Sequence, residues 1–303
     1  MILRALFQIG LLLLLPPLLL GVVNRVKAVL AGRRGPPLLQ GYFDLWKLLR
    51  KGAVYSRTTT WVFRAGPVVG LAAVLTAGTV LPVAGQPAVI SFAGDFVLFA
   101  YLLALARFAT ALAALDTGSS FEGMGAAREV SFASMAEPAL FLCLVVLARA
   151  TGSLSLSGML GPGLAPAWGG AAPALLLSAI ALFVVALAEN SRIPVDDPGT
   201  HLELTMIHEV MVLDHSGPDL AFILYGASIK FFLFGALFVR LVLDLRVQGL
   251  WAGEAAFVAG MIGFAVLVGL VESAMARLRL TRVPQMLVGA SVLSVFALVL
   301  LLR

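Results

Sequence analysis

Residues 188–209, with the sequence AENSRIPVDDPGTHLELTMIHE, concentrate ionisable side chains in a chain that otherwise has few of them. The segment contains five carboxylates, two histidines and one arginine, whereas only 12% of the whole chain is charged. Histidine titrates near neutral pH and carboxylates exchange protons readily, so this composition is typical of a segment that handles protons. The two histidines, His201 and His208, are seven residues apart, or roughly 10 Å along a helix. Because that spacing is too wide for one metal ion, we expect no metal site here.

Ionisable residues also occur inside apolar runs that are long enough to cross a membrane. A charged group is costly in hydrocarbon, so such residues are functional candidates by default. For any one of them, the alternative is a structural ion pair that fixes the packing of two helices. Five of them in five predicted spans favour a functional network, because a structural bundle needs only one or two polar contacts of this kind. These residues are Arg107, Glu137, Glu189, Lys230 and Glu272.

The composition of the chain indicates where it resides. Hydrophobic residues make up 61% of the chain and charged residues 12%, whereas soluble domains usually carry about 25% charged residues. We therefore interpret the chain as an integral membrane protein. Its single cysteine, Cys143, lies inside an apolar run. One cysteine excludes a disulfide framework, a zinc ribbon and a thiolate-held iron–sulfur cluster within this chain, so any redox metal centre belongs to partner subunits.

Eight apolar runs have the length of about 20 residues that a membrane-spanning helix needs. The sequence thus predicts an all-α integral membrane protein with eight transmembrane helices in a single polytopic domain, residues 1–303. The first run lacks a small-residue cleavage site, so we interpret it as a retained span rather than a signal peptide. The predicted spans are residues 2–23, 63–84, 95–115, 131–150, 171–190, 219–243, 254–276 and 284–302.

The charges of the loops predict the orientation of the spans. The first loop, residues 24–62, contains eight lysines and arginines, whereas the second (85–94) and fourth (151–170) contain none. Positive charge marks the cytoplasmic side, so loops one, three, five and seven are predicted to be cytoplasmic and both termini to lie outside. We attribute the net charge of +5 to this topology and to anionic lipid headgroups, and we expect no nucleic-acid partner.

Two cytoplasmic segments are expected to be structured. Residues 42–51 mix apolar and charged side chains in a pattern that predicts an amphipathic helix at the membrane interface, as a surface anchor or as one wall of a docking surface. Beyond two helix-breaking prolines, residues 200–211 are compatible with a second helix. Its apolar residues, including Met206 and Ile207, argue against a purely solvated loop and predict contact with a partner subunit.

The motif AENSRIPVDDP (188–198) resembles the AExNRxPFDLPE motif of the membrane subunit of respiratory complex I that is called subunit 1. The segment GMGAAREVSFASMAEP (123–138) and the first cytoplasmic loop are similar to the same family, which also has eight spans. The continuation PGTHLELTMIHEVMVLDHSG departs from complex I, because Gly199 and His201 replace two glutamates. That continuation and VESAMARLRLTRVP (271–284) resemble the corresponding subunit of group 4 membrane-bound nickel–iron hydrogenases, the hydrogenase-4 and formate hydrogenlyase family.

This resemblance implies a non-catalytic subunit of an oxidoreductase complex in a prokaryotic cytoplasmic (inner) membrane. Its implied partners are a hydrogenase-like large subunit and an iron–sulfur small subunit on the cytoplasmic side, together with antiporter-like membrane subunits and the lipid. No cofactor is expected in this chain. Iron–sulfur clusters, with nickel–iron as a further option, are expected on partner subunits, and quinone stays open as a ligand. The charged segment at 188–217, the coupling loop, is expected to link electron transfer to ion translocation.

The resemblance also implies roles for individual residues. Residues that match the lining of the family's chamber and the start of its proton path are Glu137, Glu189, Arg192, Asp196 and Glu203. We expect the same path to include Glu209 and Asp214, which stands where the family usually has glutamate. The residues expected to support the path are Arg107, Arg128, Glu129, Asp197, His201, His208, Lys230 and Glu272.

Three alternatives to this coupling role stay open. In the first alternative, the chain is a quinone-chamber subunit of a complex I-type dehydrogenase. In the second it is a passive membrane anchor for a catalytic arm, and in the third it is a stand-alone transporter with ionisable groups in broken helices. Within the coupling role, Glu272 is expected to matter less than Glu137, because the seventh span shows no accompanying charge cluster in the sequence.

Overall fold

The computed structural model describes residues 2–196, 206–243 and 250–302, and within these ranges it contains helices and no strand. Eight of the helices are long and apolar enough to cross a membrane, which confirms the predicted fold class. Two shorter helices, α2 and α6, lie in the loops. The helices are α1 (Ile2–Leu30), α2 (Gln40–Leu49), α3 (Trp61–Val80), α4 (Asp95–Asp116), α5 (Ser120–Thr151), α6 (Leu156–Met159), α7 (Leu164–Glu189), α8 (Gly217–Val242), α9 (Leu250–Ala274) and α10 (Val283–Leu301).

Small residues and a terminal carboxylate hold α3 against α4. A Cβ added at Gly66 of α3 would lie 2.7 Å from the Cβ of Ala113 on α4, so only glycine permits this approach. Where α4 ends and α3 begins, the carboxylate of Asp116 accepts hydrogen bonds from the backbone N–H groups of Thr60 (2.7 Å) and Phe63 (3.2 Å). Asp116 therefore satisfies free donors at the start of α3 and fixes the depth of α4 relative to it.

Pro17 inside α1 creates an attachment point for α8, and α2 is bound next to it. Proline has no N–H, so Pro17 leaves the carbonyl oxygen of Leu13 without its helical donor. The hydroxyl of Tyr225 on α8 donates to that oxygen at 2.7 Å, and the hydroxyl of Tyr42 on α2 donates to the next carbonyl, that of Leu14. Helix α2 lies where the amphipathic helix is predicted, and none of its residues is buried.

The coupling loop begins inside the helix bundle and not at its surface. Helix α7 ends at Glu189, whose carboxylate pairs with Arg107 on α4. Arg107 lies nine residues before the C-terminal end of α4, which is about 13 Å along the helix axis. Val195, Ile207 and other residues of the loop are buried, so the loop packs into the bundle.

Two expectations for the 200–211 segment are wrong in its described part, residues 206–211. The structure has only a four-residue 3₁₀ turn there, Glu209–Val212, and no longer helix. The carboxylate of Asp196 accepts the backbone N–H groups of Ile207 and His208, so tertiary hydrogen bonds hold the segment in place of a helical ladder. Met206 and Ile207 are each 2% exposed within this chain and are therefore not available as the predicted partner contact.

The orientation of the bundle can be tested by cysteine labelling. We expect Arg34→Cys, at an exposed position in the first loop, to react with an impermeant thiol reagent only from the cytoplasmic side. Val89→Cys, at a position that is 43% exposed in the second loop, should react only from outside. The native Cys143 is fully buried and gives no background. Labelling of both positions from the same side would overturn the predicted topology.

Candidate functional site

Arg107 is the centre of a buried group of ionisable residues within the bundle. Its guanidinium donates to Glu137 at 2.5 Å and to both carboxylate oxygens of Glu189 at 2.6 Å. Its Nε lies 3.5 Å from Glu129, and the ammonium of Lys230 lies 3.8 Å from Glu189. These five residues form the central cluster, to which α4, α5, α7 and α8 each contribute.

The central cluster has an unequal charge balance. Two cations face three carboxylates, so the cluster carries a net charge of −1 when all five groups are ionised. The side chains of Arg107 and Glu189 are 8% and 4% exposed, so solvent screens their charges weakly. A cluster with one excess negative charge in such surroundings is chemically suited to take up one proton.

The end of α7 is shaped by a backbone conformation that is uncommon outside glycine. Ser191 has φ +51°, in the left-handed region, and its N–H donates to the carbonyl of Ala188. The N–H of Arg192 donates to the carbonyl of Leu187, which closes the turn. This turn separates the side chains of Glu189 and Arg192, which pair with different helices.

Arg192 and Glu272 belong to a second group of charges, the rim cluster, with Lys27 of α1. The carboxylate of Glu272 lies 2.8 Å from the ammonium of Lys27 and 3.5 Å from the guanidinium of Arg192. The Glu272 side chain is fully enclosed, and the Arg192 guanidinium lies 5.2 Å above the ring of Phe231. The expectation that the seventh span carries no charge cluster is therefore wrong. The residues that pair with Glu272 come from distant parts of the chain, so the sequence around Glu272 does not reveal them.

The carboxylate of Asp196 holds the coupling loop in place. Its carboxylate accepts the N–H groups of Ile207 (3.1 Å) and His208 (3.2 Å) and lies 2.8 Å from the guanidinium of Arg277. Arg277 follows α9, so the pair links the loop after α7 to the loop after α9. Asp196 is 3% exposed, and this ion pair neutralises it where it is buried.

His208 is held in its neutral form. Burial lowers the pKa of its imidazole to about 4; the positive charges of Lys230 and Arg107 add to this effect, and the carboxylates of Asp196 and Glu189 oppose it. Its Nδ1 is buried and has no hydrogen-bond partner within the part of the chain that the structure describes. At neutral pH this histidine is therefore an uncharged donor and acceptor next to the central cluster.

A cavity lies beside His208, with Arg107, Glu129 and Lys230 at its polar end and apolar residues of α3 and α8 as walls. Its volume is about 50 Å³ for the centres of water molecules, and one water needs ~10–15 Å³ by this measure. The cavity therefore has room for a few water molecules beside these polar side chains.

The remaining predicted residues lie outside the two clusters or outside the described residues. Arg128 donates to the backbone carbonyl of Met206 and so ties α5 to the coupling loop. Asp214 is exposed, and its N–H donates to the carboxylate of Glu122. Glu209 begins the 3₁₀ turn and is partly buried. The predicted residues that the structure does not describe are Asp197, His201 and Glu203.

Two cations of the site are not identified by the sequence-based predictions. The sequence groups Lys27 with the basic residues of the first loop, although α1 continues seven residues beyond the predicted span and carries Lys27 to Glu272. It likewise groups Arg277 with the basic seventh loop, although Arg277 pairs with Asp196. The only signal for either cation is a residue of opposite charge at a buried position far along the chain. That signal does not reveal which lysine or arginine will pair with the residue.

Comparisons with known proteins agree with this architecture. The family model described as NADH dehydrogenase matches residues 3–302. Hydrogenase-4 component C of Escherichia coli (strain K12) is 35% identical over 82% of this chain and 78% of its own length. Formate hydrogenlyase subunit 4 of the same organism is 32% identical over 94% of this chain and 93% of its own length. A subunit of the NADH-quinone oxidoreductase of Anaplasma phagocytophilum (strain HZ) is 28% identical over 73% of this chain and 69% of its own length.

A solved structure shares the fold along almost the entire chain. A chain of the membrane-bound sulfane sulfur reductase, an archaeal respiratory membrane complex, superposes with a TM-score of 0.83 at 20% identity and covers 99% of both chains. The family resemblance carried by the 188–217 and 123–138 motifs is thus confirmed. This chain belongs to the NADH dehydrogenase family of membrane subunits, which is the family of complex I subunit 1.

Proposed function

We propose that this chain is a membrane subunit of a complex I-like respiratory complex of the group 4 hydrogenase type. In this proposal it docks a cytoplasmic catalytic arm and couples electron transfer in that arm to ion translocation. The observation that carries the coupling role is the central cluster, in which one buried arginine contacts carboxylates from α5 and α7. The membrane relatives, named as parts of hydrogenase-4 and formate hydrogenlyase, support the assignment to such a complex.

The geometry of the central cluster suits proton transfer between carboxylates. Glu189 and Glu137 both accept hydrogen bonds from Arg107, which keeps its proton at any working pH and acts as a fixed counter-charge. A proton taken up from the loop side at Glu189 neutralises the excess negative charge, and its movement to Glu137 carries it toward the membrane. Water in the cavity beside Glu129 and neutral His208 offers further donors and acceptors.

The exposure of Glu137 favours a multi-subunit complex over a stand-alone transporter. Its side chain is 41% exposed although it pairs with Arg107 at membrane depth. A carboxylate facing lipid there is costly, so we expect a neighbouring membrane subunit to cover this face. The exposed apolar side chains of Tyr101 and Phe108 on α4 surround the same face and provide packing area for such a neighbour.

The docking role is best supported at the cytoplasmic ends of α3, α5 and α8. Val54, Phe121 and Leu213 are 75%, 39% and 52% exposed, and we name them the docking patch. Two hydrogen bonds bring their segments together: the N–H of Val54 donates to Ser216, and the N–H of Asp214 donates to Glu122, the neighbour of Phe121. We therefore place the contact with the arm at the docking patch and not at Met206 and Ile207, which are buried in this chain.

The coupling role is tested by Glu137→Gln, which keeps the shape of the side chain and removes its exchangeable proton. We expect the assembled complex to lose at least 90% of its ion translocation in membrane vesicles. Oxidoreduction with artificial electron carriers should stay within about twofold, because the metal centres of the proposed complex lie on other subunits. The control is Glu254→Gln, the same change at a buried carboxylate of α9 outside both clusters. An intact Glu137→Gln complex that translocates normally would reduce the residue to a packing role.

The docking role is tested by Leu213→Asp together with Phe121→Asp. Charges at the centre of an apolar contact are expected to weaken it by several kcal/mol. The catalytic arm should then appear in the soluble fraction while this subunit stays in the membrane, as measured by immunoblotting of the two fractions. Val89→Asp, at an exposed apolar position of the second loop, is the matched control and should leave the arm bound. Retention of the arm by the double variant would place the docking surface elsewhere.

The neutral state of His208 predicts a dependence of stability on pH. An unfolded histidine binds a proton below about pH 6.5, whereas the folded protein keeps His208 neutral down to about pH 4. Acidification from pH 7 to pH 5 should therefore favour the unfolded state by about 1–2 kcal/mol through this residue. We expect His208→Asn to have a lower melting temperature than the native protein at pH 7. Between pH 7 and pH 5, its melting temperature should fall by less than that of the native protein. An equal loss in both proteins would show that the folded protein does protonate His208.

A further inference from the structure

We infer that the rim cluster acts as a fixed positive charge that sets the proton affinity of the central cluster. Lys27, Arg192 and Glu272 would thus be positioning residues for proton transfer, and they would act through electrostatics and not through contact with the moving proton. The inference adds Lys27 to the proposed coupling role and gives Arg192 and Glu272 an electrostatic part in it. It rests on that role for its biological meaning, although the electrostatic effect itself can be measured without it.

The first argument is the charge balance of the two clusters. The rim cluster has two cations and one carboxylate, so it carries a net charge of +1. The central cluster carries −1, and the pair between Asp196 and Arg277 is neutral. The two clusters therefore carry opposite excess charges, −1 at the centre and +1 at the rim. An added proton in the central cluster leaves the excess positive charge of the rim uncompensated.

The second argument is proximity. Glu189 of the central cluster and Arg192 of the rim cluster are three residues apart, so their Cα atoms lie within about 11 Å of each other. On α8, Lys230 pairs with Glu189, and the adjacent Phe231 lies under the guanidinium of Arg192. The two clusters therefore share the turn after α7 and one segment of α8.

The third argument is the weak screening between the clusters. The side chain of Glu272 is fully enclosed, and those of Arg192 and Lys27 are 12% and 31% exposed. At an effective dielectric constant of about 20, unit charges on the order of 11–15 Å apart interact by about 1–1.5 kcal/mol, which moves a titration midpoint by roughly one pH unit. Because Lys27 is partly exposed, solvent and salt screen its charge. We therefore expect the titration midpoint to move by roughly 0.5–1 pH unit.

The charged and titratable groups that face these residues come from every neighbouring element. Glu272 on α9 faces Lys27 of α1 and Arg192 of the turn after α7. Arg107 faces carboxylates of α5 and α7, and Lys230 of α8 completes the central cluster. From the coupling loop, His208 faces the cavity and is neutral at pH 7.

The inference predicts opposite effects for two neighbouring substitutions. Lys27→Met removes a positive charge and should make the central cluster easier to protonate, so the midpoint of its titration moves up by about 0.5–1 pH unit. Glu272→Gln removes a negative charge and should move the midpoint down by a similar amount. The double variant removes one charge of each sign and should return the midpoint close to its native value.

The measurement is infrared spectroscopy of the purified, assembled complex as a function of pH, which detects the carbonyl stretch of protonated carboxyl groups. The bands of the central cluster are assigned by their loss in Glu129→Gln, Glu137→Gln and Glu189→Gln. Arg25→Met is the matched control, because it removes the same charge from an exposed position of α1 two residues from Lys27. It should leave the midpoint within about 0.2 pH units, since exposed charges are screened.

Two outcomes would overturn the inference: midpoints that move in the same direction in Lys27→Met and Glu272→Gln, or midpoints that do not move. If the complex with Glu272→Gln fails to assemble, Lys27→Met and Arg25→Met test the inference alone. The inference then requires that the midpoint moves up in Lys27→Met and stays in place in Arg25→Met. The result is separable from the coupling role. Normal translocation by Glu137→Gln would refute coupling through that residue, while the opposite midpoint shifts would still establish the electrostatic role of the rim cluster.

Discussion

The burial of one cation, Arg107, at membrane depth is the constraint on which the rest of the bundle depends. A guanidinium cannot lose its charge in a protein, so it must find counter-charges in surroundings where isolated ions are very costly. Glu129 and Glu137 of α5 and Glu189 of α7 supply them. The registers of α4, α5 and α7 are therefore fixed together, since a shift of one turn would leave a charge unpaired. Buried pairs of this kind add little net stability, which favours a functional reason for their presence.

The same constraint explains why the coupling loop packs into the bundle. Glu189 reaches Arg107 only if α7 ends below the membrane surface, and the chain must then return through the bundle. Its polar backbone needs partners on that path. The carboxylate of Asp196 accepts two N–H groups there, and Arg277 neutralises it. In the proposed coupling role, a loop anchored in this way would transmit a charge change at its surface to the central cluster by electrostatics, without the large movement that a solvated loop needs.

The spans, the motif residues and the family are predictable from sequence, because each depends on local apolar length or on a contiguous pattern. The partners of the buried charges are not. Lys27 and Glu272 are 245 positions apart, and nothing local distinguishes Lys27 from the basic residues that only set topology. The same limit explains the wrong expectation for Met206 and Ile207. Their apolar character correctly indicates burial, but sequence does not show whether the covering surface belongs to this chain or to another.

The opposite excess charges of the central and rim clusters have a consequence for the proposed energy coupling. A fully balanced cluster would resist any added charge, and a strongly unbalanced one would bind its proton too tightly to release it. An excess of one negative charge beside a compensating excess of one positive charge lies between these limits. In the proposed coupling role, the central cluster would exchange a proton in response to a modest charge change nearby, such as one at a redox centre of the proposed catalytic arm. A stable bundle needs only paired charges, so the unequal charges of the two clusters support this proposal over a packing role alone.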